Sequence, residues 1–192
     1  VDHTPIVGVL ALQGAFRSHA EHLEALGART REVRVPGDLV GLDAIVLPGG
    51  ESTTMSRLLV TSGLFDPLGE ALRDGLAAFA TCAGLILAAR NVLDGREDQR
   101  VFGVLDATVR RNAYGRQRDS FETDLDVTGL EDPFHAVFIR APMVESIGRG
   151  VEVLASFGDH PVLIRQGRVM AATFHPELAG DSRIHQTFLQ EV

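Results

Sequence analysis

The chain has 192 residues, 45% apolar and 23% charged, which fits a single domain over residues 1–192 that can bury a core without a disulfide or metal staple. Acidic side chains outnumber basic ones 26 to 18, for a net charge of −8, which argues against nucleic-acid and anionic-membrane partners because both need a basic footprint. No apolar run approaches the ~18 residues of a membrane helix, and Val1 to Pro5 lack the charged start and apolar core of a signal peptide, so the expected location is cytoplasmic.

A single cysteine, Cys82, excludes an internal disulfide and a cysteine-based zinc cluster, and neither a metal nor a cofactor is expected. All 18 basic side chains are arginines. Codon bias accounts for that, yet it has a chemical consequence. The chain can form no lysine Schiff base with a carbonyl compound and cannot supply the lysine of a phosphate-binding loop.

Ile6 to Leu10 reads as a fully buried strand of a parallel sheet. Phe16, Ala20, Leu23 and Leu26 then recur at helical spacing, with Gly27 placed to end that helix. Arg29 to Val35 alternates as a strand with one wetter face until Pro36-Gly37 stops it, and Ala44 to Leu47 is a second buried strand. Helical stretches follow at Thr53 to Thr61 and Phe65 to Arg73, then a buried strand at Leu76 to Ala80 and an apolar helix at Ala83 to Ala89. This half predicts a doubly wound α/β arrangement. Beyond it, Val104 to Arg110, Ser120 to Val127 and Ala136 to Arg140 alternate and are joined by polar loops. Val151 to Phe157, Pro161 to Arg165 and Val169 to Phe174 read as a meander with a hairpin turn at Gln166-Gly167, and Ser182 is placed to cap a last helix. The expectation is an α/β domain with a mixed, largely parallel sheet flanked by helices, a flavodoxin-like three-layer arrangement.

Ligands of open α/β sheets collect at the carboxyl ends of the parallel strands. Four strand ends here lead into polar or glycine-rich runs: Leu12-Gln13-Gly14, Pro48-Gly49-Gly50-Glu51-Ser52, Thr81-Cys82-Ala83-Gly84 and His175-Pro176-Glu177. A strand-to-helix turn of the form small-x-nucleophile-x-Gly holds its central side chain exposed on a helix N-terminus, where the dipole favours a thiolate and free N–H groups face an oxyanion. A lone cysteine is usually a small buried hydrophobe. His175 and Glu177, some ninety residues later, tip the balance towards a catalytic thiol. With Pro176 extended between them, both side chains fall on one side, so Glu177 can orient the imidazole while its other nitrogen faces Cys82. The same tripeptide also suits a surface turn. His3, His19, His22, His135, His160 and His185 read as surface or capping residues.

Gly49-Gly50-Glu51-Ser52 is either a plain turn or a set of backbone N–H groups beside an acid, which suits a polarised carbonyl plus an ammonium group, as on an amino acid. Arg110, Arg111, Arg116 and Arg118 form a basic cluster that would ordinarily be a solvated face. Arg140 ends a strand and is placed to clamp a carboxylate bidentately.

These residues resemble the class I (triad) glutamine amidotransferases and, among them, the glutaminase subunits of pyridoxal 5′-phosphate synthase, over nearly the whole chain. The resemblance rests on Ala11-Leu12-Gln13-Gly14, Leu47-Pro48-Gly49-Gly50-Glu51-Ser52-Thr53-Thr54, Thr81-Cys82-Ala83-Gly84 and Arg111-Asn112-Ala113-Tyr114-Gly115-Arg116-Gln117. Phe138-Ile139-Arg140-Ala141-Pro142 and His175-Pro176-Glu177 complete it. It implies that Cys82 attacks the glutamine side-chain amide, that His175 shuttles protons and that Glu177 orients His175. It also implies that Gly50, Glu51, Ser52, Arg111, Ile139 and Arg140 hold glutamine. Charge complementarity gives Glu51 to the α-ammonium and an arginine to the α-carboxylate, without deciding which arginine.

The partner so implied is a separate synthase subunit, in a large hetero-oligomer, that receives the ammonia and builds pyridoxal 5′-phosphate from a pentose phosphate and a triose phosphate. Having no lysine agrees with leaving carbonyl chemistry to another chain. Gln13, beside the elbow, is the candidate for sensing that partner and completing the oxyanion hole. One departure stands out, because the elbow usually begins with glycine and here begins with Ala80. The competing expectations are a stand-alone cysteine-elbow α/β hydrolase or chaperone, a catalytically silent binding subunit, and an amidotransferase feeding another acceptor.

Overall fold

Residues 3–111 and 120–192 are described by the computed structural model. Strand β1 (Ile6–Leu10) leads through helix α1 (Phe16–Ala25) to β2 (Arg29–Val33) and then β3 (Ala44–Leu47). Two helices, α2 (Ser52–Thr61) and α3 (Phe65–Arg73), precede β4 (Ala77–Thr81), which is followed by the short helix α4 (Ala83–Ala88). The chain continues through β5 (Ala89–Val92), β6 (Leu105–Arg110), β7 (Ser120–Leu125), β8 (Phe134–Ile139) and β9 (Met143–Ile147). Strands β10 (Glu152–Phe157), β11 (His160–Gln166) and β12 (Val169–Ala172) and helix α5 (Arg183–Leu189) complete it.

The main sheet runs β10-β11-β12-β4-β3-β1-β2. Its members from β12 to β2 are parallel, and β11 and β10 add an antiparallel edge. Strand period two divides the core. Ile45 and Leu47, Ala78 and Ala80, and Val169 and Ala171 face one side, where α2, α3, α4 and the small sheet β5-β6-β9 pack. Ala44 and Val46, Ala77 and Phe79, and Met170 and Ala172 face the other, under α1, α5 and the β7–β8 hairpin. Burial on both faces explains why β3, β4 and β12 read as unbroken apolar runs. Among the described residues no helix is long and apolar enough to cross a membrane.

The structure departs from the sequence reading in two elements. Ala89, the expected end of the elbow helix, begins β5, and β9 lies in a stretch to which the sequence reading assigns no element. Both belong to the small sheet beside the main one, and both carry exposed residues, so neither has the apolar signature of a covered strand. Their pairing partner is β6 in each case, a contact that only the tertiary fold brings about.

Candidate active site

The carboxyl ends of β1, β3, β4 and β12 open on one edge of the sheet, and the elements that leave them build a single site. At the end of β4 the chain turns sharply at Cys82, with φ 49° and ψ −107°. A left-handed backbone at a non-glycine residue costs about 1–3 kcal/mol and persists only where its surroundings enforce it. Here the Cys82 N–H donates to the Ala172 carbonyl at 2.9 Å, and the Ile86 N–H to the Cys82 carbonyl at 3.3 Å.

The elbow helix passes directly over β3. A methyl group on Gly84 would overlap the Leu47 carbonyl oxygen, which is backbone and cannot swing aside. Gly84→Ala is therefore expected to lower stability by about 2–3 kcal/mol, read as a lower urea midpoint. An unchanged midpoint would show that the crossing tolerates a side chain. Ala80, the departure from the usual glycine, sits in regular register between Leu47 of β3 and Ala171 of β12, fully buried in the core. Its methyl is packed on the α4 side and leaves the elbow conformation intact.

His175 follows β12, and its N–H donates to the Val137 carbonyl of β8 at 2.8 Å. Its Nδ1 lies 2.7 Å from Glu177 Oε1, and its ring stands with Cys82 Cβ over Gly49. Glu177 is fully covered and His175 nearly so. Burial pulls the His175 pKa down, but hydrogen bonds and charge from Cys82 and Glu177 outweigh it and raise it to about 10. Gly49 makes this packing possible, since a Cβ there would stand 2.5 Å from His175 Cε1 and 3.5 Å from Cys82 Cβ. The segment between His175 and Glu177 is not the extended one expected. Pro176–Leu178 forms a 3₁₀ turn with Pro176 in its first position, and the turn folds Glu177 back under the imidazole.

In front of Cys82 lies a cavity of about 340 Å³, lined by Gly50, Glu51, Ser52, Cys82, Ala83, Ile86, Arg111 and Arg140, within the range of small-molecule sites. Ile139 is not on that wall, but its carbonyl faces Cys82 Sγ at 4.0 Å. Strand β8, which ends at Ile139 just before Arg140, is anchored by the fully buried Phe134 and Phe138 against Phe174, with ring centroids 5.9 and 5.5 Å apart. Arg140 itself has φ 44°. Ser52 Oγ is buried on the cavity wall with no hydrogen-bond partner among the described residues.

Glu51 caps α2. Its carboxylate accepts the N–H groups of Thr53 and Thr54 at 3.1 and 2.7 Å and pairs with Arg111 Nη2 at 2.8 Å. Partial burial raises its pKa, while Thr54, Thr53 and the Arg111 charge more than offset this and hold it below the usual carboxylate range. The Glu51 N–H donates to Gln13 Oε1 at 2.8 Å, so Gln13 closes over this loop as its position suggested. Of the basic cluster, Arg110 is turned outward to Glu145 at 2.6 Å, and Arg116 and Arg118, like the run from Asn112 to Gln117, lie outside the described residues. Among the described residues no group of three or more His, Cys, Asp or Glu side chains is placed to hold a metal ion.

Two of the histidines assigned to the surface are wholly buried. His19 and His185 are 0% exposed, behind Glu177, with His19 Nδ1 2.9 Å from His185 Nε2. The signal was present for His19, which shares the apolar stripe of α1 with Phe16 and Leu23. Ser182 does not cap α5 with its side chain, because its hydroxyl is engaged by His22 at 2.7 Å. Burial pushes the His19 pKa well below its ordinary value and that of His185 down to about 3, helped by neighbouring histidines. Both are therefore neutral when folded but protonate when unfolded, so their contribution is complete above pH 6.5 and is lost as pH falls towards 3. Stability is expected to fall as pH drops from 6.5 to 5, read as a lower urea midpoint. A flat urea midpoint across that range would contradict it.

A pyridoxal 5′-phosphate synthase subunit PdxT from Mycobacteroides abscessus is 56% identical over 189 residues, covering 98% of each chain. The PdxT subunit from Deinococcus radiodurans is 54% identical over 186 residues, 95% of each chain. A solved structure described as a glutamine amidotransferase superposes with a TM-score of 0.91 at 53% identity, over 96% of this chain and 97% of that one. PurLQS from Thermotoga maritima, at 18% identity and a TM-score of 0.63 over 98% of this chain and 99% of that one, shares the fold. The SNO glutamine amidotransferase family matches residues 9–192, so the chain belongs to that family.

Proposed function

We propose that this chain hydrolyses L-glutamine to L-glutamate and ammonia, with Cys82 as nucleophile, His175 as proton shuttle and Glu177 as the group that orients it. The ammonia then passes to a separate synthase subunit that makes pyridoxal 5′-phosphate, in a large hetero-oligomer. The carrying observation is the strained elbow that sets Cys82 against His175, with Nδ1 of that imidazole committed to Glu177. The names borne by relatives more than half identical supply the acceptor. A nucleophilic thiol also suits the reducing cytoplasm.

In this reading Gly50, Glu51, Ser52, Arg111, Ile139 and Arg140 hold glutamine. Arg111 is committed to Glu51, whereas Arg140 has no ion pair among the described residues, so Arg140 takes the α-carboxylate. Glu51, already capping α2, presents its remaining negative field to the α-ammonium. With its proton already held by His175, Cys82 Sγ attacks the side-chain amide carbon, and the His175 imidazolium gives its Nε2 proton to the departing nitrogen, which leaves as ammonia and returns the imidazole to its neutral form. Water, deprotonated by the same imidazole, opens the glutamyl thioester and releases glutamate and the thiol.

The Glu51 N–H, held by Gln13, is unavailable to an oxyanion in the free chain. Docking of the synthase subunit acts on the Gln13 loop and frees such a donor, worth about 10²–10³ in rate. The test is glutamate release from glutamine by the chain alone and with the synthase subunit added, with a Cys82→Ala control. Cysteine-dependent release that rises at least about tenfold with the partner is expected. Release indifferent to the partner would remove the acceptor from the reading, and no release in either case would remove the glutaminase.

A further inference from the structure

Glu177 is held from two sides, and the triad uses only one of them. Oε1 accepts from His175, whereas Oε2 is buried with no hydrogen-bond partner among the described residues, and His19 Nε2 stands 3.4 Å from it. A buried anionic oxygen needs a donor. Helix α1 approaches it with two histidines one turn apart. His22 Nε2 lies 3.1 Å from the Glu177 carbonyl oxygen, with Nδ1 of the same ring 2.7 Å from Ser182 Oγ. His19 Nδ1 lies 2.9 Å from His185 Nε2, and its Nε2 also lies 3.3 Å from Thr81 Oγ1.

The contacts select one tautomer. If His19 carried its proton on Nδ1, the lone pair of Nε2 would point at a carboxylate. With the proton on Nε2, His185 Nε2–H donates to His19 Nδ1 and the His19 Nε2–H is left for Glu177 and Thr81. His185 Nδ1, which has no hydrogen-bond partner in the structure, is then a bare lone pair, cheaper to bury than an unpaired N–H. Burial keeps both rings uncharged. A neutral donor satisfies Oε2 without competing with the imidazolium of His175 for the carboxylate charge.

We propose that His19 is a positioning residue of the glutaminase, donating its Nε2–H to the second oxygen of Glu177 so that the first stays aimed at His175. The proposal rests on the triad reading above. The groups that contact Glu177 are His175 on its own segment and His19 and His22 from α1, while Thr81 and His185 adjoin it through His19, and Ser182 through His22.

The test compares His19→Leu, which keeps bulk and removes the donor, with His19→Gln, which keeps a donor near the place of Nε2, both assayed in complex with the synthase subunit. His19→Leu is expected to lower kcat about 10- to 100-fold, the scale of a small misplacement of a catalytic group, with KM within about threefold because His19 does not line the cavity. His19→Gln restores most of kcat. An unchanged His19→Leu overturns the proposal, as does a loss that His19→Gln does not restore, which would leave His19 a packing role. Should His19→Leu fail to fold, the histidine ¹⁵N spectrum of the unaltered protein at pH 7 decides. Neutral His19 protonated on Nε2 is expected, and a proton on Nδ1 or on both nitrogens overturns the proposal. That spectrum can be read whether or not glutamine is hydrolysed, so it separates failure of this inference from failure of the triad, which the Cys82→Ala control addresses.

Discussion

Glutamate release by a Cys82→Ala protein, assayed with its synthase partner, is expected to fall about 10⁴- to 10⁶-fold, the loss seen when the nucleophile of a triad is removed. The chain has no second cysteine to substitute for it, and a thioester cannot form on a methyl group. What remains is the positioning of glutamine against a histidine with nothing to activate. A Cys82→Gly protein sharpens the test. Glycine adopts the left-handed backbone without strain, so this variant is expected to be equally inactive yet no less stable than the parent in urea. Inactivity with preserved stability locates the loss in the chemistry, whereas a full rate in either variant would take the thiol out of the reaction.

Glu177→Gln is expected to lower kcat about 10²- to 10⁴-fold, with KM within about threefold, since Glu177 lies behind the cavity and not on its wall. The substitution keeps the volume but removes a negative charge 2.7 Å from His175 Nδ1. It also lets an amide N–H face that nitrogen, which turns the imidazole to the tautomer that cannot accept a proton from Cys82. The His175 pKa, raised to about 10 by Cys82 and Glu177 against the pull of burial, falls when one of those supports is lost. The imidazolium is then no longer maintained through neutral pH, and the alkaline side of the rate profile moves to lower pH. Initial rates between pH 6 and 10 measure this, and a profile identical to the parent would separate Glu177 from the proton transfer.

The strands that carry the site were legible because each lies between two packed faces. Ala44–Leu47 and Ala77–Thr81 are apolar without interruption, and the runs that leave them are glycine-rich or polar, so the position of Cys82 at a strand end followed from local pattern. Strands β5 and β9 were not legible, since their faces are partly exposed and their partner β6 is remote in sequence. The role of Gly49 was hidden for the same kind of reason. It reads as part of a turn, and only the approach of His175, 126 residues away by numbering (175 − 49), shows why a side chain is excluded there.

By itself, then, the sequence determined the parallel core, the elbow at Cys82 and the residue types available for attack, proton transfer and carboxylate recognition, because these depend on hydrophobic period and on turns a few residues long. The tertiary structure alone decided which side chains meet. It folded Glu177 under His175 through a 3₁₀ turn, gave Arg111 to Glu51 while leaving Arg140 facing the cavity, and buried His19 and His185 behind Glu177. A buried polar contact is worth making only when its partner arrives from another element, and hydrophobic period carries no record of which element that will be.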